Sequence, residues 1–138
     1  MAEWEGIADA DAHLGRAFPL PGVGLPLARW VDVAPVGSGA EVAWNLDDTR
    51  PGTPARIALY AGADPPPPRD LPAAGPPEPV AVGGVAATLR TAPLEAAEPS
   101  LRPVAELAWN AGGLHLRLTA QGPWTGSRLI EIAASIVP

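Results

Sequence analysis

The sequence predicts an α+β fold: an N-terminal helix, an antiparallel sheet of about five to seven strands, and a C-terminal amphipathic helix packed on that sheet. Three observations carry the prediction. A six-residue phrase occurs twice, as Ala40-Glu41-Val42-Ala43-Trp44-Asn45 and as Ala105-Glu106-Leu107-Ala108-Trp109-Asn110, and each copy alternates apolar residues in the manner of a half-buried strand. Further alternating runs are separated by Gly and Pro clusters, which punctuate strands. Near the end, Leu129, Ile132, Ala133 and Ile136 fall at i, i+3, i+4 and i+7, one stripe of a helix.

Taken in order, residues 2–16 hold Trp4, Ile7, Ala8 and Leu14 at helical spacing, with acids early and Arg16 late, as the helix dipole favours. Phe18 to Pro26 carries three prolines, which fix φ and remove ladder donors, so it is an extended linker laid over the core. Leu27 to Val33 and Ala40 to Trp44 form a strand pair around a turn at 35–39. After the polar loop Asn45 to Pro54, Arg56 to Tyr60 supplies a third strand with Ile57 and Leu59 on one face. Residues 63–79 contain eight prolines in seventeen positions, a composition suited to polyproline II and to an exposed linker inside one domain spanning 1–138. Val80 to Leu89 with Gly83-Gly84 reads as a hairpin, and residues 91–102 as an acidic loop.

The clearest stretch is Val104 to Thr119. Asn110-Ala111-Gly112-Gly113 is expected to turn the chain, so that Trp109 faces Leu114, Leu107 faces Leu116, and Glu106 pairs with Arg117 on the opposite face beside His115. Thr125 is a good N-cap for the closing helix.

Composition narrows the function. All nine cations are Arg and the formal net charge is -6, which leaves no basic footprint for a nucleic-acid backbone. The richness in Ala, Pro, Gly and Arg is of the high-GC actinobacterial type. With no Cys there is no disulfide, thiolate zinc site or Cys nucleophile. No apolar stretch reaches the length that spans a bilayer, and residues 1–20 lack the basic and apolar regions of an export signal. The expectation is a chain that does not insert in a membrane, cytoplasmic as written, and extracytoplasmic if it is part of a longer membrane protein.

Candidate chemistry is sparse. On a helix Asp9 and His13 share a face while Asp11 points elsewhere, so a solvated acidic face explains this cluster better than a metal site. Asp47 and Asp48, followed by Arg50-Pro51-Gly52, have the residue types of general acid/base work but the setting of turn formers. His115 lacks a nucleophile and an orienting acid nearby, and Ser38, Ser127 and Ser135 lack an elbow motif. No catalytic, cofactor or metal residue is assigned, and no enzyme is expected. The five Trp against one Phe and one Tyr are more informative. Trp44 and Trp109 share the repeated frame and belong to the core. Trp4, Trp30 and Trp124 lie at element edges, where Trp favours binding surfaces, and with Asp47, Asp48 and Arg50 they are the candidate interaction residues.

Several of these features together resemble a known bacterial domain. They are the Ala-rich helix, Phe18-Pro19-Leu20-Pro21 leading to Leu25-Pro26, the strand ending in Val33, Val80-Ala81-Val82-Gly83-Gly84, Leu107-Ala108-Trp109 with its Gly-Gly turn, and Thr125-Gly-Ser-Arg-Leu-Ile-Glu-Ile-Ala-Ala-Ser-Ile136. The chain is similar, over about residues 8–137, to a domain of unknown function found at the extracytoplasmic C-terminal end of anti-sigma factors and related membrane proteins or lipoproteins. The resemblance implies a non-catalytic sensing or protein-interaction module, with no catalytic residues to carry over. The expected function is therefore a non-enzymatic domain with a protein partner, a second copy of the chain included. The alternative is a small carrier holding an apolar ligand between the sheet and the C-terminal helix.

Overall fold

The computed structural model describes residues 7–22, 30–45, 56–66, 76–91, 103–121 and 126–136. Helix α1 (Ile7–Leu14) is followed by strands β1 (Trp30–Val36), β2 (Gly39–Asn45), β3 (Arg56–Gly62), β4 (Glu78–Val82), β5 (Val85–Thr91), β6 (Pro103–Ala111) and β7 (Leu114–Gln121), and the chain closes with helix α2 (Gly126–Ala134). The class is the expected α+β. All seven strands form one antiparallel sheet in the order β1-β2-β3-β7-β6-β5-β4.

Two meanders therefore meet edge to edge, β1-β2-β3 and β4-β5-β6-β7, with β3 against β7 at the centre. The repeated phrase occupies equivalent places in them. Val42 of β2 pairs with Leu59, Leu59 with Leu118, and Leu118 with Leu107 of β6, so one row of side chains runs symmetrically outward from the β3–β7 junction. Trp44 and Trp109 sit at opposite ends of the two neighbouring rows on the same face, Trp44 half-buried and Trp109 buried.

Both helices cover that face. α1 packs on β1 and β2, and α2 on β4 and β6. Ala10, Phe18, Leu129, Ile132, Ala133 and Ile136 join the strand residues in a single buried cluster. The expected stripe is therefore the one that packs, with Ile136 just beyond the last helical turn. Ser135 ends the helix structurally: its Oγ donates to the Ile132 carbonyl (2.6 Å) and accepts from the Gly22 amide (2.9 Å).

Three sequence expectations are corrected. The β6–β7 turn is the two-residue Gly112-Gly113, whose φ values of 60° and 78° suit a tight hairpin, and Asn110 and Ala111 remain in the strand. The register consequently shifts by two: Trp109 pairs with Leu116, Leu107 with Leu118, and Glu106 with Thr119 rather than Arg117. A shift of two preserves every side chain's face, which is why the apolar pattern did not reveal it. Next, the Pro-rich linker ends before residue 78, because Glu78 and Pro79 open β4; this is an edge strand, where a missing N–H is tolerated. Finally, β1 is Trp30–Val36 and its turn is Gly37-Ser38, with Gly37 at φ 58° in the first turn position. Thr125 and residues 46–55 and 92–102, read from the sequence as loops, lie outside the described residues.

Candidate functional site on the outer sheet face

Alternation along each strand sends the residues between the core positions to the other face, on which no described helix packs. Its central rows are Glu41, Tyr60, Arg117 and Ala108, and beside them Ala43, Ala58, Thr119 and Glu106. Tyr60, Arg117 and Thr119 are buried, at 1%, 5% and 4% exposure, so this face combines polar chemistry with near-complete burial.

Tyr60 is the best-held of these residues. Its ring lies over Gly39 and Gly62, where an added Cβ would meet the ring or its hydroxyl at 2.6 Å or closer, so only glycine leaves it room. The hydroxyl donates to the Asp64 carbonyl (2.7 Å), and the Asp64 carboxylate accepts from Ser38 Oγ (2.7 Å). The β1–β2 turn and the start of the Pro-rich segment are thereby tied to one phenol. Burial raises the Tyr60 pKa above its ordinary 10.0; Asp64 raises it further, and Arg117 acts in the opposite sense. The Arg117 guanidinium stands 5.9 Å from the ring centroid, within cation–π range.

Next to this group, Glu106 Oε2 and Thr119 Oγ1 are buried without a hydrogen-bond partner. Each such atom costs about 1–3 kcal/mol when it is left unmade. Glu106 lies between Thr119 and Arg90 in register. Further along, an open cleft of about 490 Å³ is bounded by Pro65, Pro66, Pro79, Thr88, Ala108 and His115. Asn110 and His115, paired across β6 and β7, supply polar groups to it, while prolines and alanines make most of its wall.

The sequence-derived candidates are mostly elsewhere. Trp4, Trp124, Asp47, Asp48 and Arg50 lie outside the described residues, and Trp30 is described only as the backbone that opens β1 opposite Asn45. The polar residues of α1 and of the turn after it hold the helix in place. Asp11 Oδ1 accepts from the Phe18 amide (2.6 Å), His13 Nε2 donates to the Gly37 carbonyl (3.3 Å), and Arg16 donates to the Gly112 carbonyl (2.8 Å). Among the described residues no group of three His, Cys, Asp or Glu is placed to hold a metal. His115 has the expected parity but is half-buried in the cleft wall. Sequence reasoning missed the Tyr60 arrangement. Its one signal was the sole Tyr two residues before a Gly.

Comparison with family models, with curated proteins and with solved structures finds no match in any of the three. No described helix is long and apolar enough to cross a membrane.

Proposed function

We propose that the chain is a non-enzymatic protein-interaction or sensing domain and that the outer sheet face, at the cleft between Pro65-Pro66 and β4 to β7, is where its partner docks. The observation that carries this reading is the cleft itself: a wall of Pro and Ala with Thr88, Asn110 and His115 at its polar points, on the face where no described helix packs. Interaction surfaces combine an apolar centre with a polar rim in this way. The reading includes kinship with the extracytoplasmic domain of anti-sigma factors, to which the turn, cap and core residues point. The carrier alternative draws less support, because Leu129 and Ile132 are fully buried against the sheet where the ligand would lie.

The test is capture from an extract of the source cells by the wild-type chain and by Thr88→Arg, which puts a long cation at the exposed cleft wall. A protein retained by the wild type and lost with the folded variant supports the proposal. Equal retention by both, or retention of nothing by the wild type, contradicts it.

A further inference from the structure

We infer that the outer edge of β1 is the position of an eighth strand, filled by β1 of a second copy of this chain in two-fold antiparallel pairing. The internal symmetry of the sheet carries the inference. β2 and β6 hold the repeated phrase, β3 and β7 meet at the centre, and β1 pairs with β2 as β5 pairs with β6. Val33 stands opposite Val42 as Leu89 stands opposite Leu107, and Val31 opposite Trp44 as Ala87 opposite Trp109. In the second half that outer edge is occupied: β4 pairs along β5, with Val80 opposite Ala87 and Glu78 opposite Leu89. In the first half no described strand lies beyond β1, and Val31 is 43% exposed.

The outer edge of β1, beyond which no described strand lies, has defined donors. A two-residue turn at Gly37-Ser38 makes Val36 and Gly39 the hydrogen-bonded closing pair, and alternation then directs the backbone groups of Val31 and Val33 outward. Pro35 falls on the same outward set, so its missing N–H leaves the β2 ladder intact and removes one donor from the edge. These facts suit a self-pairing centred on Val33. With Val33 opposite Val33 of the second copy, both exchange bonds, and each Val31 N–H donates to the other copy's Pro35 carbonyl. Asp32 then faces Ala34. The alternative with Asp32 opposite Asp32 is disfavoured, because it sets two carboxylates directly opposite each other.

The other edge explains why pairing closes at two. β4 has five residues to the seven of β1, begins with a charged Glu78, and directs the nitrogen of Pro79 outward by the same alternation. β1 joining β4 of the next copy would propagate without end; β1 joining β1 is isologous and stops.

Sedimentation velocity on the full chain, from about 1 μM to about 1 mM, reads the outcome directly. The wild type is expected to double its mass across this range, the more readily at high salt because each copy carries -6. Val31→Pro, at an exposed position, should weaken the dimer at least tenfold while far-UV circular dichroism stays unchanged. The chain has no cysteine, so the double substitution Asp32→Cys with Ala34→Cys gives an unambiguous cross-link on oxidation. Disulfide-linked dimer supports the pairing even if Val31→Pro fails to fold. A wild type that stays monomeric throughout, a dimer that Val31→Pro leaves intact, or absence of the cross-link overturns it. So does a monomer whose β1 edge takes up only strands of other sequence. Because the outer-face cleft is not involved, this inference and the proposed function stand or fall separately.

Discussion

On the helix-bearing face the middle of the sheet is a continuous aliphatic row, Val42, Leu59, Leu118 and Leu107; one residue along the same strands, the other face sets Glu41, Tyr60, Arg117 and Ala108 side by side. The first row is stabilised by removing apolar area from water and by close packing, which tolerates little loss of volume. The second depends on groups whose burial must be offset one at a time, by the Tyr60 hydroxyl on Asp64, the guanidinium over a ring, and a glycine pair that makes room. At Glu106 and Thr119 that offset is incomplete. Burial alone therefore does not distinguish the two faces. What separates the two faces is whether polar groups have been spent on the fold or left over.

The largest expected effect breaks the aliphatic row. Leu118→Ala, at a fully buried position between Leu59 and Leu107, should cost about 3 kcal/mol in urea unfolding. Next comes the glycine pair: Gly62→Ala forces a methyl against the Tyr60 hydroxyl and the Gly39 Cα and should cost about 2 kcal/mol. Since Gly62 has no positive φ, the whole cost is steric, and a variant as stable as the wild type would show that the ring moves aside freely. Tyr60→Phe removes only the bond to the Asp64 carbonyl and should cost about 1 kcal/mol. Thr119→Val sharpens the comparison by sign. On the aliphatic face a polar-to-apolar change has nothing to gain, but here it removes an unsatisfied hydroxyl and should stabilise by up to about 1 kcal/mol.

Alkaline titration gives the smallest effect and a specific one. Tyr60 is the sole tyrosine, so its ultraviolet ionisation signal is unmixed. Its folded pKa is raised above the unfolded 10.0, chiefly by burial. The stability it contributes is therefore fully present below pH 10.0 and is lost as pH rises through the folded pKa. An ionisation midpoint at or below 10.0 in the folded protein would contradict the buried placement.

The fold was largely legible because period-two alternation is a property of each strand by itself. Leu114, Leu116 and Leu118 announce their face without knowledge of their neighbours, and Leu129, Ile132 and Ala133 do the same for α2. What escaped depends on relations between strands. Alternation cannot distinguish a four-residue turn from the two-residue Gly112-Gly113, since the two registers differ by an even number. Only the start of β4 was hidden, because Pro79 looks like linker until its edge position is known. The outer-face group was not legible at all: Tyr60 meets Gly39 only after β2 and β3 align, and Glu106 meets Thr119 only in the corrected register. Trp44 and Trp109 were readable as core from their shared frame, whereas the edge tryptophans offered no such pattern.

The proposed docking role belongs to the outer face, whereas the helix-bearing face holds the apolar core. The most direct measurement is partner retention by Thr88→Arg relative to the wild type, with unfolding free energy measured on the same samples. Stability within about 0.5 kcal/mol of the wild type and loss of the retained partner are expected. Unchanged retention by a folded Thr88→Arg chain would contradict the docking role.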